Sequence, residues 1–130
     1  MPLPHILLVD DDPVLLQVLP ETLRLHMPEL MIDTCLSGWQ ALERLRACDY
    51  DAVISDIKMP NLDGLALLAK IQAGWPNIPI ILMTGHGEGE LASRGRQGGA
   101  FDFIQKPIER DAFIDSVRRA IQARHASRIE

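Results

Sequence analysis

The sequence predicts an α/β protein: a single-domain, doubly wound (βα)5 fold with a five-stranded parallel sheet. The chain has 130 residues, which is the usual size of one domain. Short apolar runs alternate with helical patterns five times, which is typical of repeated βα units. Two runs, at 52–54 and 78–83, are almost continuously apolar, as expected of strands covered by helices on both faces.

The predicted strands are short apolar segments that end at polar or turn-forming residues. They cover residues 5–10, 31–35, 50–55, 78–83 and 100–104. The predicted helices lie between and after them, at about 13–26, 38–47, 64–73, 88–96 and 109–126. The domain is therefore expected to cover residues 1–126, and 127–130 to be a C-terminal tail or the start of a linker.

The start of the first helix carries a typical sequence signal. Aspartate accepts hydrogen bonds from the free N–H groups of a first helical turn, and proline is well tolerated at its first position. Asp12 and Pro13 are therefore interpreted as structural residues. Pro20 lies deeper in the same helix, where proline costs about 3 kcal/mol. A kink, or a helix that begins again at Glu21, is expected there.

The fourth helix is predicted to be weak. Residues 85–99 contain six glycines, and each glycine inside a helix costs about 1 kcal/mol relative to alanine. The helix is therefore expected to be marginal, short or mobile, close to the point where order and disorder are equally favourable.

Composition excludes several classes of protein. Hydrophobic residues make up 47% of the chain, yet no apolar run approaches the roughly 18 to 20 residues that span a bilayer. A net charge of −5 argues against direct contact with nucleic acid. The N-terminus does not resemble a signal peptide, and the two cysteines are expected to be reduced. A soluble cytoplasmic protein that contacts no membrane is expected.

Reactive side chains follow four of the five predicted strands. Ligands of parallel α/β sheets bind beyond the carboxyl ends of the strands, where the sequence places Asp10, Asp11, Asp56, Thr84 and Lys106. The three aspartates would repel one another unless a cation lay between them. Mg²⁺ (or Mn²⁺) prefers oxygen ligands of this kind.

Carboxylates, a metal ion and a lysine can together carry out phosphoryl transfer. An aspartate can attack phosphorus and form an acyl phosphate, while the metal ion and the ammonium group neutralise the phosphoryl oxygens. The hydroxyl of Thr84 could donate a hydrogen bond to one of those oxygens.

Four segments together resemble the receiver domains of two-component response regulators. They are LLVDDD, VISDIKMPNLDG, IILMTGHG and GAFDFIQKP, at the first, third, fourth and fifth strands. In detail they are most similar to the nitrogen-regulatory type, particularly the dicarboxylate-transport regulators. The resemblance implies a flavodoxin-like strand order, 2-1-3-4-5.

The resemblance also implies a role for each matching residue. Asp56 would be the phosphoacceptor, and the metal ligands would be Asp10, Asp11, Asp56 and the backbone carbonyl of Lys58. Thr84 and Lys106 would contact the phosphoryl group, and Phe103 would occupy an aromatic switch position. The bond between Lys106 and Pro107 matches one that is usually cis in the family, and Pro107 is given a structural role.

The partners are implied in the same way. A cognate sensor histidine kinase would donate the phosphoryl group, and the domain would be a signalling switch rather than an enzyme, with only slow self-dephosphorylation. Phosphorylation would change the surface of the fourth helix, fifth strand and fifth helix and so control homodimerisation. In this subgroup an ATPase domain that activates sigma-54 RNA polymerase and a DNA-binding domain follow the receiver, and both would lie outside this sequence.

Several alternatives remain open. The chain could be a stand-alone, single-domain response regulator that acts by protein–protein contact, and its fourth helix could be a poorly formed surface helix with no switching role. A Mg²⁺-dependent phosphatase would also use an aspartate nucleophile, but in a D-x-D-x-T pattern on the first strand, which DDDPV does not match. A flavodoxin-like cofactor binder is disfavoured because three aspartates would repel a phosphate.

Overall fold

The computed structural model describes residues 3–85 and 87–129. The strands are β1 (His5–Val9), β2 (Met31–Cys35), β3 (Ala52–Asp56), β4 (Ile80–Thr84) and β5 (Asp102–Gln105). The helices are α1 (Leu15–His26), α2 (Gly38–Ala47), α3 (Gly64–Gly74), α4 (Gly89–Gln97) and α5 (Arg110–Ile129). The strands are all parallel, in the order β2-β1-β3-β4-β5. The predicted fold class and strand order are therefore confirmed.

The sheet separates two hydrophobic cores, because successive side chains of a strand point to opposite faces. On one face, α1 and α5 pack against a set of buried strand residues: Ile6, Leu8, Ile54, Ile81 and Met83. On the other face, α2, α3 and α4 pack against the alternate set: Leu7, Val9, Val53, Ile80 and Leu82. Within the described ranges, no helix has the length and apolar character needed to cross a bilayer.

Four strands have different bounds from those predicted. Strands β3, β4 and β5 each begin two residues later and end one residue later, and β1 ends one residue earlier. Tyr50 and Ile78 explain part of the difference, because both are buried although they precede the strands. The hydroxyl of Tyr50 donates a 2.6 Å hydrogen bond to Asp33. An apolar residue in a connection thus packs into the core as a strand residue does.

The entry to α1 is longer than predicted. Residues 13 and 14 form a turn, and α1 itself begins at Leu15. The carboxylate of Asp12 accepts a 2.9 Å hydrogen bond from the N–H of Val14, and its carbonyl accepts one of 3.3 Å from Leu16. Asp12 therefore satisfies the first amides of this turn. The expected new start at Glu21 is wrong, because α1 runs through Pro20, which is buried.

The last two helices also differ from expectation. Helix α4 forms over nine residues despite its glycines, whereas the predicted balance between order and disorder stays a prediction. His86 of the TGHG segment lies outside the described residues. Helix α5 continues to Ile129, three residues beyond its predicted end, whereas the assignment of 127–130 to a C-terminal tail or the start of a linker stays a prediction.

The C-terminal turns of α5 are tied to the connection between α2 and β3 by ion pairs. Arg128 contacts both Asp49 and Asp51, and its Nη1 lies 2.8 Å from Oδ1 of Asp51. The other carboxylate oxygen of Asp51 accepts a 2.8 Å hydrogen bond from the N–H of His5. Asp51 is buried, whereas the side chain of Asp49 is mostly exposed. Asp51 therefore joins β1, α5 and the connection before β3.

Replacing Asp51 with alanine is expected to lower the free energy of unfolding by about 1–3 kcal/mol, because it leaves the half-buried N–H of His5 without its acceptor and removes a buried ion-pair partner of Arg128. Asp49→Ala is the matched control, since an exposed ion pair contributes only about 0–1 kcal/mol. Urea unfolding of the two variants measures the difference. If both variants lost the same free energy of unfolding, the burial of Asp51 would make no contribution to stability beyond that of an exposed ion pair.

Candidate functional site

Three aspartates converge at the carboxyl edge of the sheet. Asp10 directly follows β1, Asp11 comes next, and Asp56 is the last residue of β3. Strands β1 and β3 are neighbours, with Val9 opposite Ser55, so that their ends adjoin. One carboxylate oxygen from each of the three aspartates lies within 4.8 Å of the others. The sheet therefore brings together the three carboxylates that the sequence singles out.

Lys106 adds the positive charge of this site. Its Nζ lies 3.2 Å from Oδ2 of Asp56 and 3.4 Å from Oδ2 of Asp10. Its backbone N–H donates a 2.7 Å hydrogen bond to the carbonyl of Thr84, which fixes the segment after β5 against the end of β4. The bond between Lys106 and Pro107 is cis, as the resemblance implies. The amino group thus bridges two aspartates.

Burial sets the electrostatics of the site. Burial raises the pKa of Asp10 and of Asp56, and Lys106 only partly opposes this effect. Burial also lowers the pKa of Lys106, but the charges of Asp56 and Asp10 outweigh it, so that its pKa is raised overall. Lys106 therefore stays protonated at neutral pH. One ammonium group contacts two of the three carboxylates, which leaves the site with an excess of negative charge when all three are ionised.

This excess of negative charge fits a hard divalent cation. All three converging ligands are carboxylate oxygens, which suit Mg²⁺ and Mn²⁺. Asp10 and Asp56 are buried and Asp11 is exposed, so that a cation would be open to solvent on the side of Asp11. Asp10, Asp11 and Asp56 are the residues that would hold it. Lys58 lies exposed after β3, and the role of its carbonyl stays a prediction.

Thr84 and Phe103 lie on the two strands beyond β3. Thr84 is the buried last residue of β4. Phe103, in β5, is half-buried, and the guanidinium carbon of Arg96 lies 4.7 Å from the centroid of its ring. A Cβ added at Gly95 would lie 3.0 Å from Cε1 of this ring. Phe103 thus packs directly against α4, while the switch roles of both residues stay predictions.

Two features of the site are missed by the sequence. One is the specific ion pair between Lys106 and Asp10: the sequence places both residues at the same edge of the sheet but does not indicate that they pair. Gly64 is predicted from the sequence only as the first residue of the helix at 64–73, although it packs against the backbone of Asp56. Its position directly after the N-cap aspartate, Asp63, and a few residues after the reactive Asp56 is the signal that could have indicated it.

Most of the chain is similar in sequence to named transcriptional regulators. It is 43% identical over 121 residues to the C4-dicarboxylate transport transcriptional regulatory protein DctD of Pseudomonas aeruginosa, covering 92% of the chain and 26% of that protein. It is 40% identical over 113 residues to the DNA-binding transcriptional regulator NtrC of Escherichia coli, covering 87% of the chain and 24% of that protein. The chain thus spans about a quarter of the length of these relatives. The predicted resemblance to the nitrogen-regulatory and dicarboxylate-transport regulators is confirmed.

Solved structures resemble the whole fold. The signal receiver domain of an HD domain-containing protein from Pseudomonas fluorescens superposes with a TM-score of 0.92 at 30% identity, covering 100% of this chain and 95% of that one. NtrX from Brucella abortus gives a TM-score of 0.88 at 30% identity, covering 97% of this chain and 28% of that one. The family model described as the response regulator receiver domain matches residues 6–118. With its sheet, its acidic cluster and its lysine all in place, the chain belongs to this family of receiver domains.

Proposed function

We propose that this receiver domain accepts a phosphoryl group on Asp56 from the phosphohistidine of a cognate sensor histidine kinase. One observation carries the proposal. The carboxylate of Asp56 lies 3.2 Å from the ammonium group of Lys106, beside the oxygens of Asp10 and Asp11. A nucleophile, a cation and ligands for a metal ion thus share one edge of the sheet, as phosphoryl transfer requires.

The chemical step is a displacement at phosphorus. A carboxylate oxygen of Asp56 attacks the phosphorus atom, the P–N bond of the donor breaks, and the released imidazole nitrogen takes up a proton from water. The product is an aspartyl phosphate. Lys106 is placed to neutralise a phosphoryl oxygen beside Asp56, and Asp10 and Asp11 are placed to hold Mg²⁺. When bound, Mg²⁺ supplies further charge neutralisation at the phosphoryl oxygens.

Phosphorylation would be transmitted through the ends of β4 and β5. Thr84 is the residue that would donate a hydrogen bond to the phosphoryl group, and the backbone of Lys106 is already bonded to its carbonyl. Phe103 follows in β5 and packs against α4. We therefore propose that the surface of α4, β5 and α5 changes on phosphorylation and controls homodimerisation. Such a shift requires only that the phosphoryl group favour one of two arrangements.

The regulated output is also a proposal. The relatives are named as transcriptional regulators, and each is about four times longer than this chain. We propose that the domain regulates a sigma-54-dependent ATPase domain and a DNA-binding domain, in the cytoplasm and without itself contacting nucleic acid. The alternative is a stand-alone regulator acting by protein–protein contact. In either case we expect a switch rather than an enzyme, with no turnover of a small phosphate ester such as p-nitrophenyl phosphate.

Acetyl phosphate with Mg²⁺ tests the proposed acceptor. Intact mass spectrometry is expected to show one added phosphoryl group on the wild type and none on Asp56→Asn, because the amide is a far weaker nucleophile than the carboxylate. Asp115→Asn is the matched control, since that carboxylate is exposed on α5 and pairs with Arg119. Undiminished phosphorylation of Asp56→Asn would show that another residue is the acceptor.

A further inference from the structure

The loop that follows the proposed acceptor, residues 57–63, is held at both of its ends. At its start, the N–H of Ile57 donates a 3.2 Å hydrogen bond to the carbonyl of Met83 in β4. At its end, the N–H of Gly64 donates one of 2.7 Å back to the carbonyl of Ile57, and Asp63 caps α3 by accepting from Ala66. The loop carries Lys58, so that its position also sets the position of the Lys58 carbonyl.

Gly64 touches the backbone of the acceptor itself. A Cβ added at Gly64 would lie 2.4 Å from the carbonyl oxygen of Asp56 and 2.7 Å from Cα of Ile57. Both atoms belong to the backbone, so that no rotation of a side chain can relieve the overlap. A side chain at position 64 must therefore push α3 away from the end of β3.

Gly38 makes a similar contact with the same loop. It is the first residue of α2, and a Cβ added there would lie 2.9 Å from both Cδ2 and the carbonyl oxygen of Leu62. Leu62 is buried, so that it has little room to move aside. The first residues of α2 and α3 therefore both contact the loop at residues 57–63 or its immediate flank.

We infer that Gly64 and Gly38 are positioning residues for the phosphorylation site, because each lets a helix begin against the loop that carries Lys58 and follows Asp56. This inference rests on the proposed function. Neither glycine would touch a cation or a phosphoryl group. Each acts by fixing backbone whose displacement by about 1 Å can slow a reaction about 100-fold.

Alanine substitutions test the inference, with a control at the far end of α3. Gly64→Ala and Gly38→Ala are compared with Gly74→Ala, at the other end of α3, where an added Cβ meets no atom within 4 Å. We expect the Kd for Mg²⁺, measured by calorimetric titration, to rise at least about tenfold in the first two variants. Phosphorylation by acetyl phosphate should slow similarly. In metal-free protein, the NMR shifts of the amides at 57 and 58 should also change, and Gly74→Ala should resemble the wild type in every measurement.

Folding is checked by circular dichroism before these comparisons. If Gly64→Ala and Gly38→Ala fold and bind Mg²⁺ as tightly as Gly74→Ala, the inference is wrong. If Gly64→Ala does not fold, Gly38→Ala decides by the same criterion, because its shortest contact, 2.9 Å, is less severe than the 2.4 Å contact at Gly64. The proposed function fails in a different way: the wild type would bind Mg²⁺ but gain no phosphoryl group. The Mg²⁺ affinities and metal-free shifts would then still test the positioning roles.

Discussion

Asp11→Ala is expected to abolish measurable Mg²⁺ binding while leaving the domain folded. Asp11 supplies one of the three carboxylate oxygens that converge at the site, and a site built from few protein ligands loses most of its affinity with one of them. Its side chain is exposed, so that removing it leaves no cavity. Calorimetric titration with Mg²⁺ measures the affinity, and circular dichroism checks the fold.

The neighbouring carboxylate provides the matched control. Asp12 bonds the N–H of Val14 at the entry to α1, and its replacement by alanine is expected to cost about 1 kcal/mol of stability. The Mg²⁺ affinity of Asp12→Ala should stay close to that of the wild type. If the two substitutions weakened Mg²⁺ binding equally, the division of this acidic run into ligands and a structural residue would be wrong.

Asp10→Asn is expected to stabilise the metal-free domain at pH 7 while weakening Mg²⁺ binding, because burial disfavours the charged form of a carboxyl group. Burial raises the pKa of Asp10, which means that the folded state resists its ionisation. Asparagine removes the charge but keeps an oxygen that can accept the 2.9 Å hydrogen bond from the N–H of Asp12. Lys106 keeps Asp56 as a partner.

The stabilisation expected from Asp10→Asn depends on pH, because the pKa of Asp10 is raised in the folded state. Because the pKa of Asp10 is higher in the folded state than in the unfolded state, the domain loses stability as pH rises through the folded-state pKa. Below the ordinary pKa of 3.8 Asp10 is protonated in both states, and the gain from Asp10→Asn should vanish. Urea unfolding in EDTA at several pH values measures it, with Asp115→Asn as the exposed control. A loss of stability at pH 7 would contradict the expected cost of the buried charge.

The fold could be predicted because its strongest signals are local. Strands that are buried on both faces consist of nearly continuous apolar residues, and the alternation of such runs with helical patterns indicates a parallel sheet. The strand bounds were less accurate, because Tyr50 and Ile78 are as apolar and as buried as strand residues. Pro20 is expected to interrupt α1, but the helix continues through it. Burial of Pro20 outweighs its low helix propensity.

The site could be predicted because parallel strands end at the same edge. Asp10, Asp11 and Asp56 lie at the ends of neighbouring strands, and the structure places their oxygens together. Specific side-chain contacts between helices and the sheet could not be predicted in this way. In the sequence, Gly95 cannot be distinguished from glycines that only weaken a helix. In the structure, the absence of a side chain at Gly95 makes room for Leu82 and Phe103. Only the packing of α4 on the sheet distinguishes the two cases.

Chemical trapping of the phosphorylated residue tests the central claim most directly. The domain is treated with acetyl phosphate and Mg²⁺ and then reduced with borohydride, which converts an aspartyl phosphate to homoserine. Peptide mass spectrometry then locates the homoserine. We predict homoserine at position 56 alone. Homoserine at position 10 or 11, or its absence from a protein that has gained a phosphoryl group, would contradict the assignment of Asp56 as the acceptor.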